Sequence, residues 1–475
     1  MVTWANWDLH LDLKDALTPG SRGVREVLLS ALREAVRSGR LAAGTTLPPS
    51  RALAGDLGLA RNTVADVYAE LVAEGWLAAR QGAGTWVLDP GHLKHQRTEA
   101  AAARPRGATA APIHNFLPGS PDVSQFPRSD WLTSVRRALN AAPNEALRLG
   151  DPRGRPELRQ AVADYLARVR GVCTDPESVV ITAGTRHSIE VLARLFGPTR
   201  PIAVEAYGLF IFRDCIGAAG GSTVPIGFDQ LGAVVDDLDD VDTPAVLVTP
   251  AHHFPHGVPL HPNRRSAVVG WAERANGYVL EDDYDGEFRY DRQPVGALQS
   301  LDPARVIYLG SASKALSPVL RLGWMVVPTG LVDAVVAASG GQQWYVDGIT
   351  TLTMADFIVS GSYDKHIRRM RQTYRRRRDL LVTRLAPLAP DVTVTGLPAG
   401  LHLLVTLPDG AEPELLRRAG EAGVGIAGLS RLRHPLAGAG IARPDAVVVN
   451  FGAPGDHAFP HAVDALLNVV TSTLH

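Results

Sequence analysis

The stretch "YLGSASKALSPVLRLGW", Tyr308 to Trp324, sets one lysine in a run of small and apolar residues and follows it seven positions later with an arginine. Preceded by Arg305, Val306 and Ile307, it reads as an apolar strand, then two serines, then Lys314 and Arg321. A lysine in apolar surroundings loses favour for its charged form, so its pKa falls and its neutral amine becomes nucleophilic. Bonding to an aldehyde needs such an amine.

Two upstream stretches add to it. In "NGYVLEDDYDGEFRY" an apolar strand, Tyr278 to Leu280, delivers Glu281, Asp282, Asp283 and Tyr284 at its carboxyl end, where open α/β sheets bind ligands. One acid there can simply cap a helix, whereas three beside a tyrosine suggest a site. "SVVITAGTRHSIEVLARLF" is a β-branched strand, a small-residue turn and a helix opening at Thr185 to His187. The free N–H groups of such an opening suit a phosphate, although alone the stretch reads as an ordinary strand-to-helix turn. Together the pieces describe pyridoxal 5'-phosphate: a lysine for the aldehyde, an acid for the pyridinium nitrogen, and hydroxyls, an arginine and a helix N-terminus for the phosphate. From "NFLPGSPDVSQFPRSDW" onward, strands and helices alternate as in a largely parallel sheet with helical crossovers, an α/β class.

The chain has 475 residues, 45% hydrophobic and 20% charged, enough for large cores and more than one domain. Its two cysteines, Cys173 and Cys215, cannot build a disulfide framework, and neither has metal-ligand spacing, so no metal is expected. No apolar run of bilayer length or signal peptide is found, which predicts a cytoplasmic protein with no membrane association. With a net charge of -1, any nucleic-acid binding must come from a local patch.

Apolar periodicity stops in "DPGHLKHQRTEAAAARPRGATAAPIH", which predicts a linker over 89–114. As flexible coil its ends would lie roughly 25 to 30 Å apart. The alternative is an ordered loop along the second domain.

Before the linker, "GVREVLLSALREAVRSGRL" carries Val24, Val27, Leu28, Leu32 and Val36 at helical spacing. "LPPSRALAGDLGLARNTVADVYAELVAEGWL" predicts a helix capped by Ser50, a short "GLA" turn, and a second helix with Val64, Val67, Tyr68 and Leu71 on one face. "WLAARQGAGTWVLD" then gives two short β-prone pieces, the shape of a wing. In such a helix-turn-helix module the front of the second helix enters the major groove of double-stranded DNA. Arg61, Asn62 and Thr63 would then lie near base edges, and Arg51, Arg80 and Thr85 would meet phosphates. A bare helix pair is more often ordinary packing.

On these motifs, Gly23 to Val87 resembles the winged helix-turn-helix of GntR-type bacterial regulators, including "LPPSRALA", "LARNTVADVYAEL", "EGWL" and "GAGTWV". Asn62 departs from it, since a small residue such as serine often precedes the threonine. The run from Asn115 to the C-terminus resembles fold-type I aminotransferases. The whole chain resembles the MocR/GabR-type (PdxR-like) regulators, in which the two are fused. That resemblance implies a winged-helix domain over 20–88, a pyridoxal-phosphate-binding domain over 115–475 with a C-terminal subdomain from about 365, and a homodimer. It also implies Lys314 on the aldehyde, Asp282 against the ring nitrogen and Tyr284 near the phenolic oxygen, with Ala183, Gly184, Thr185, Ser311 and Arg321 around the phosphate.

Departures bear on the ligand. "HHFPHG", His252 to Gly257, puts Phe254 where free aminotransferases carry an asparagine on the ring, so hydrogen bonding to the phenolic oxygen leans on Tyr284. "VEAYGLF", Val204 to Phe210, stands where "VEDPGY" is usual, and Arg186 reads equally as a phosphate partner or a solvated residue. In "DAVVVNFGAP" Val448 aligns with the arginine that holds a substrate carboxylate, which favours a sensor of pyridoxal phosphate itself or of an amine lacking that carboxylate, unless Arg431 or Arg433 of "GLSRLRHP" replaces the missing group. "HIRRMRQTYRRRRDLLVTRLA" predicts a long helix with Ile367, Met370, Tyr374, Leu380 and Leu381 among arginines; because arginines 375 to 378 point around the helix, they read as a solvated face and not as a nucleic-acid site.

Two functional classes follow. The first is a DNA-binding regulator that senses pyridoxal phosphate or an amine effector through its aminotransferase-like domain. The second is a working aminotransferase with an accessory winged helix. A DNA-binding protein using a cofactor-free fold for dimerisation ranks third.

Overall fold

The computed structural model describes residues 23–80, 84–88, 112–290, 295–341 and 346–474. The chain divides into two compact units, Met1–Thr109 and Ala110–His475. Of the predicted linker, residues 89–111 lie outside the described residues, as does the middle of the wing, 81–83.

In the first unit, α1 (Val24–Arg37), α2 (Ser50–Leu57) and α3 (Arg61–Ala73) bury Leu28, Leu32, Leu53, Val64, Val67 and Leu71 in one core. Each such side chain stabilises the unit by about 1.5–3 kcal/mol. Gly58, at φ 65°, ends α2 in a left-handed turn, and Gly75, at φ 81°, follows α3. Ser50 is not the cap expected of it. Pro49 holds that position in extended geometry, so the serine is the first helical residue and makes no capping hydrogen bond. β1 (Thr46–Leu47), β2 (Leu77–Arg80) and β3 (Gly84–Val87) form an antiparallel sheet in the order β1-β3-β2. β1 is too short for any periodicity to reveal.

The second unit is built on a seven-stranded sheet. Its strands are β4 (Val179–Thr182), β5 (Ile202–Glu205), β6 (Thr223–Ile226), β7 (Ala245–Val248), β8 (Tyr278–Asp282), β9 (Val306–Ser311) and β10 (Gly323–Val326). The order is β4-β10-β9-β8-β7-β5-β6, with β10 antiparallel to both neighbours and the other pairs parallel. Near-continuous burial along β4, β5, β7 and β9 follows from apolar cover on both faces. A smaller antiparallel sheet, β11 (Thr393–Thr395), β12 (Leu403–Thr406), β13 (Ala427–Gly428) and β14 (Ala446–Val449), runs in the order β11-β12-β14-β13.

Four helices matter below: α4 (Pro156–Arg170), α5 (Thr185–Phe196), α6 (Phe210–Ala218) and α7 (Ser362–Leu385). On α7, Ile367, Met370, Tyr374 and Leu381 are buried, but Leu380 is exposed. The arginine run does not share one solvated face. Arg377, three residues after Tyr374 and four before Leu381, falls on the buried side, where it meets Asp122 at 2.7 Å, Asp456 at 3.0 Å and the Phe459 ring at 5.0 Å. Arg375 and Arg376 are exposed. Among the described residues, no helix is long and apolar enough to cross a membrane.

Candidate functional site

A mainly apolar cavity of the second unit lies at the carboxyl ends of the parallel strands. Lys314, Asp282 and Tyr284 line it together with Phe254, Leu209 and Phe212. β8 ends on Asp282, whose register partner on β9 is Leu309, and the chain continues beyond β9 to Lys314.

Strand alternation divides the three acids. Glu281 accepts N–H hydrogen bonds from Leu298 (2.7 Å) and Gln299 (2.9 Å), so it caps a 3-10 turn. Asp283 is clamped by Arg170 at 2.6 and 3.0 Å and accepts the Tyr308 hydroxyl at 2.7 Å. Of the three, Asp282 is the one that faces the cavity. It is 2% exposed, and its Oδ1 has no hydrogen-bond partner among the described residues. Burial pushes its carboxyl up to about 8, against the pull of Lys314. A buried carboxylate oxygen without a donor carries a large desolvation penalty, which a cationic N–H donor would relieve.

Lys314 donates its ammonium proton to the Gly119 carbonyl at 2.7 Å. Burial lowers its pKa, while Asp282 and Asp285 oppose the shift. Tyr284 sits 3.2 Å from His252 Nδ1, and that nitrogen lies 2.9 Å from Asp285. His402 donates from Nε2 to the Pro255 carbonyl at 3.1 Å. His252, Asp285 and His402 have ligand atoms within 4.8 Å of one another. His252 is engaged by Asp285 and Tyr284, and His402 by the Pro255 carbonyl, which makes them a support beside Tyr284 more readily than a cage for a metal. Gly400 makes room for this support: at φ +67°, a Cβ on it would collide with His252 and Asp285.

The remaining residues singled out for the phosphate gather at the opening of α5, outside the cavity lining. Register places Ser311 opposite Gly323 and Gly323 opposite Thr182, so the ends of β9 and β4 and the start of β10 meet there. A Cβ on Gly323 would stand 2.8 Å from Gly184 Cα, so glycine is required for the approach. Gly184, at φ 98°, precedes the helix and Thr185 is its first residue. The Ala183 N–H is already used, donating to His187 Nδ1 at 3.1 Å, which leaves the helix's own first-turn N–H groups as donors. Ser311 accepts from Ser313 N–H at 2.9 Å. Arg321 holds a left-handed backbone (φ 48°), which costs a non-glycine residue on the order of 1–3 kcal/mol, and its charge reaches His187 on α5. Arg186 is exposed, and its side chain reaches Cys215.

Neither candidate replacement for the missing arginine lines this cavity. Arg431 is exposed and lies over the Phe210 ring at 4.4 Å. Arg433 donates to the Gly438 carbonyl at 2.7 Å and lines a separate pocket. Val448 is fully buried in an apolar cluster with Tyr207, Phe254 and Leu404. The cation that does line the cavity beside Lys314 is Arg213 of α6, which the sequence reading overlooked.

In the first unit, Arg61, Asn62 and Thr63 form the first turn of α3, with Arg61 and Asn62 exposed. Arg51 is exposed on α2, and Arg80 is exposed at the end of β2. Thr85 on β3 pairs with Ala79 in the wing.

A mainly parallel sheet carrying a desolvated lysine and an unpaired acid, in a chain that also bears a winged helix, defines a regulator-type fusion of a DNA-binding module with a pyridoxal-phosphate fold. The family "Aminotransferase class I and II" matches residues 122–430, and "Bacterial regulatory proteins, gntR family" matches residues 25–87. The probable rhizopine catabolism regulatory protein MocR of Rhizobium meliloti is 33% identical over 437 residues, covering 88% of this chain and 88% of that protein. The HTH-type pyridoxine biosynthesis transcriptional regulator PdxR of Corynebacterium glutamicum is 31% identical over 443 residues, covering 93% of this chain and 95% of that protein. Among solved structures, the kynurenine aminotransferase of Pyrococcus horikoshii superposes with a TM-score of 0.69 at 24% identity, over 77% of this chain and 92% of that one, a likeness of fold. The chain belongs to the MocR-type family of GntR regulators with a fused aminotransferase domain. The cofactor of that domain is pyridoxal 5'-phosphate, and the unpartnered Asp282 Oδ1, the desolvated Lys314 and the glycine-lined opening of α5 fit it.

Proposed function

We propose that this protein is a cytoplasmic, homodimeric transcriptional regulator that binds operator DNA through residues 20–88 and senses pyridoxal phosphate or an amine effector through residues 115–475. The observation that carries this reading is the buried, unpartnered Asp282 Oδ1 sharing a cavity with Lys314. When bound, the cofactor supplies an aldehyde for amines and a protonated ring that draws electrons. Lys314 would hold the aldehyde carbon with its neutral amine. Asp282 would accept the ring N–H, and Tyr284, oriented by His252 and Asp285, would donate to the phenolic oxygen. The phosphate falls to the α5 opening with Gly184 and Thr185, to Ser311 and to Arg321; Ala183 contributes backbone shape only. On DNA, Arg61, Asn62 and Thr63 would read bases, and Arg51, Arg80 and Thr85 would contact phosphates.

The test is borohydride reduction of the purified protein, which should be yellow, followed by peptide mass analysis, beside a mobility-shift assay on the DNA upstream of its own gene. A pyridoxyl mass on the Lys314 peptide, colourless Lys314→Ala and a salt-sensitive shift are expected. Label on another lysine, such as Lys365 of α7, or no shift at low salt, would overturn the reading. Multiple turnovers with amino acids and no DNA binding would favour a working aminotransferase instead.

A further inference from the structure

The cavity that holds Lys314 has a second cation, and no described residue neutralises it. Arg213, on α6, is half-buried and lines the same space. Its guanidinium makes two long contacts, to the carbonyls of Leu432 at 3.4 Å and Arg433 at 3.5 Å. Those carbonyls orient the fork, but they carry no charge. Among the described residues no carboxylate forms an ion pair with it, and Asp214, its chain neighbour, contributes only a weaker attraction than burial costs. The arginine is therefore desolvated without a counter-ion, although a buried guanidinium is stable chiefly when paired.

The acids on the cavity wall do not answer it. Glu205 accepts both the Thr249 N–H and its hydroxyl, and burial pushes its carboxyl up to about 8. Asp282 is raised to about 8 as well and is attracted to Lys314. His402, the remaining titratable base on the wall, is held neutral near 3 by burial. Among the described residues the cavity therefore carries two basic side chains, Lys314, committed to the aldehyde, and Arg213, a cation without a counter-ion.

We infer that Arg213 holds the acid group of the effector, so that the ligand is a small amine whose carboxylate is anchored on α6. The inference rests on the reading of Lys314 as the cofactor lysine. An amine would meet the cofactor at Lys314 while its acid docks in the guanidinium fork, which is preorganised for two parallel hydrogen bonds to a planar anion. Valine at 448 then leaves the carboxylate without its late-strand arginine and moves the anchor to α6.

The test uses the full chain loaded with pyridoxal phosphate and follows the cofactor absorption. Alanine is compared with ethylamine, and β-alanine with propylamine, in the parent, Arg213→Gln and Arg213→Lys. In the parent, at least one acid-bearing amine of the two pairs should act at tenfold or more lower concentration than its neutral counterpart. Arg213→Gln should bring each pair to within about threefold, while Arg213→Lys keeps part of the preference. Because the neutral amines are measured on the same variant, a displaced Leu432–Arg433 loop would weaken both members of a pair and leave their ratio high. Equal potency within both pairs in the parent, or an undiminished ratio in Arg213→Gln, overturns the inference. Failure to acquire any cofactor absorption overturns the underlying reading of Lys314 instead.

Discussion

Asp282 and Asp283 are adjacent in the chain yet face opposite sides of the sheet, so the same substitution at each should act on different quantities. At Asp282, asparagine keeps the shape and removes the charge that the ring N–H would meet. A hydrogen bond to an ionised partner contributes about 1.5–3 kcal/mol, so cofactor should bind about 10- to 150-fold more weakly. The cofactor-free protein should not suffer. Asp282 has a folded pKa of about 8 against an unfolded value of 3.8, so the folded chain holds the extra proton. Stability from that proton is present at low pH and is lost as pH rises, by at most about 1.4 kcal/mol per unit, until pH passes about 8. The amide of Asp282→Asn does not titrate and has no such loss, so the variant should melt at or above the parent, with a margin that widens from pH 5 to pH 8. At Asp283 the substitution instead strands Arg170, which is buried and doubly bonded to that carboxylate, at a cost of about 3–5 kcal/mol. The assay is absorbance titration of the apo-protein with pyridoxal phosphate, paired with thermal unfolding at pH 5, 6.5 and 8. Cofactor affinity of Asp282→Asn within twofold of the parent, or a stability loss matching that of Asp283→Asn, refutes the reasoning.

Arg61→Ala should cost about 1–3 kcal/mol of DNA binding and relax base preference, as expected for a bidentate guanine contact. Arg80→Ala should weaken all sequences alike and flatten the salt dependence, as competition binding at several salt concentrations will read. Glu205→Gln should raise the melting temperature at pH 8 more than at pH 6, because the parent's carboxyl, raised by burial to about 8, forfeits stability as pH climbs toward that value. A pH-independent difference would show that Glu205 stays ionised.

Much of the fold was legible because its signals are local. The spacing of Val64, Val67, Tyr68 and Leu71 is itself the buried face of α3, and the apolar runs of β8 and β9 are strands covered on both sides. Lys314 and Asp282 could be singled out because each closely follows or ends such a strand. The equal weight given to Glu281, Asp282 and Asp283 was avoidable: period-two alternation puts the outer two on one face and the middle one on the other. Ser50 misled because a serine before a helix is a good cap, but Pro49 beside it already supplies the extended geometry of that position.

What could not be read is what depends on distant partners. Arg377 sits in a run of four arginines whose composition says solvent, and its burial is decided by Asp122, 255 residues away in the chain. Arg213 gave a fainter hint, a lone cation among Phe210, Ile211, Phe212, Cys215 and Ile216, which spacing alone assigns to either side of the helix. The carbonyls that aim it come from residues 219 and 220 positions later, on the loop that also carries Arg431 and Arg433. That loop drew attention for its own arginines, yet its part at this cavity is played by its backbone. A search for a missing charge by residue type looks along the chain for another arginine, whereas the fold supplies one from a different element and uses the expected segment to hold it in place.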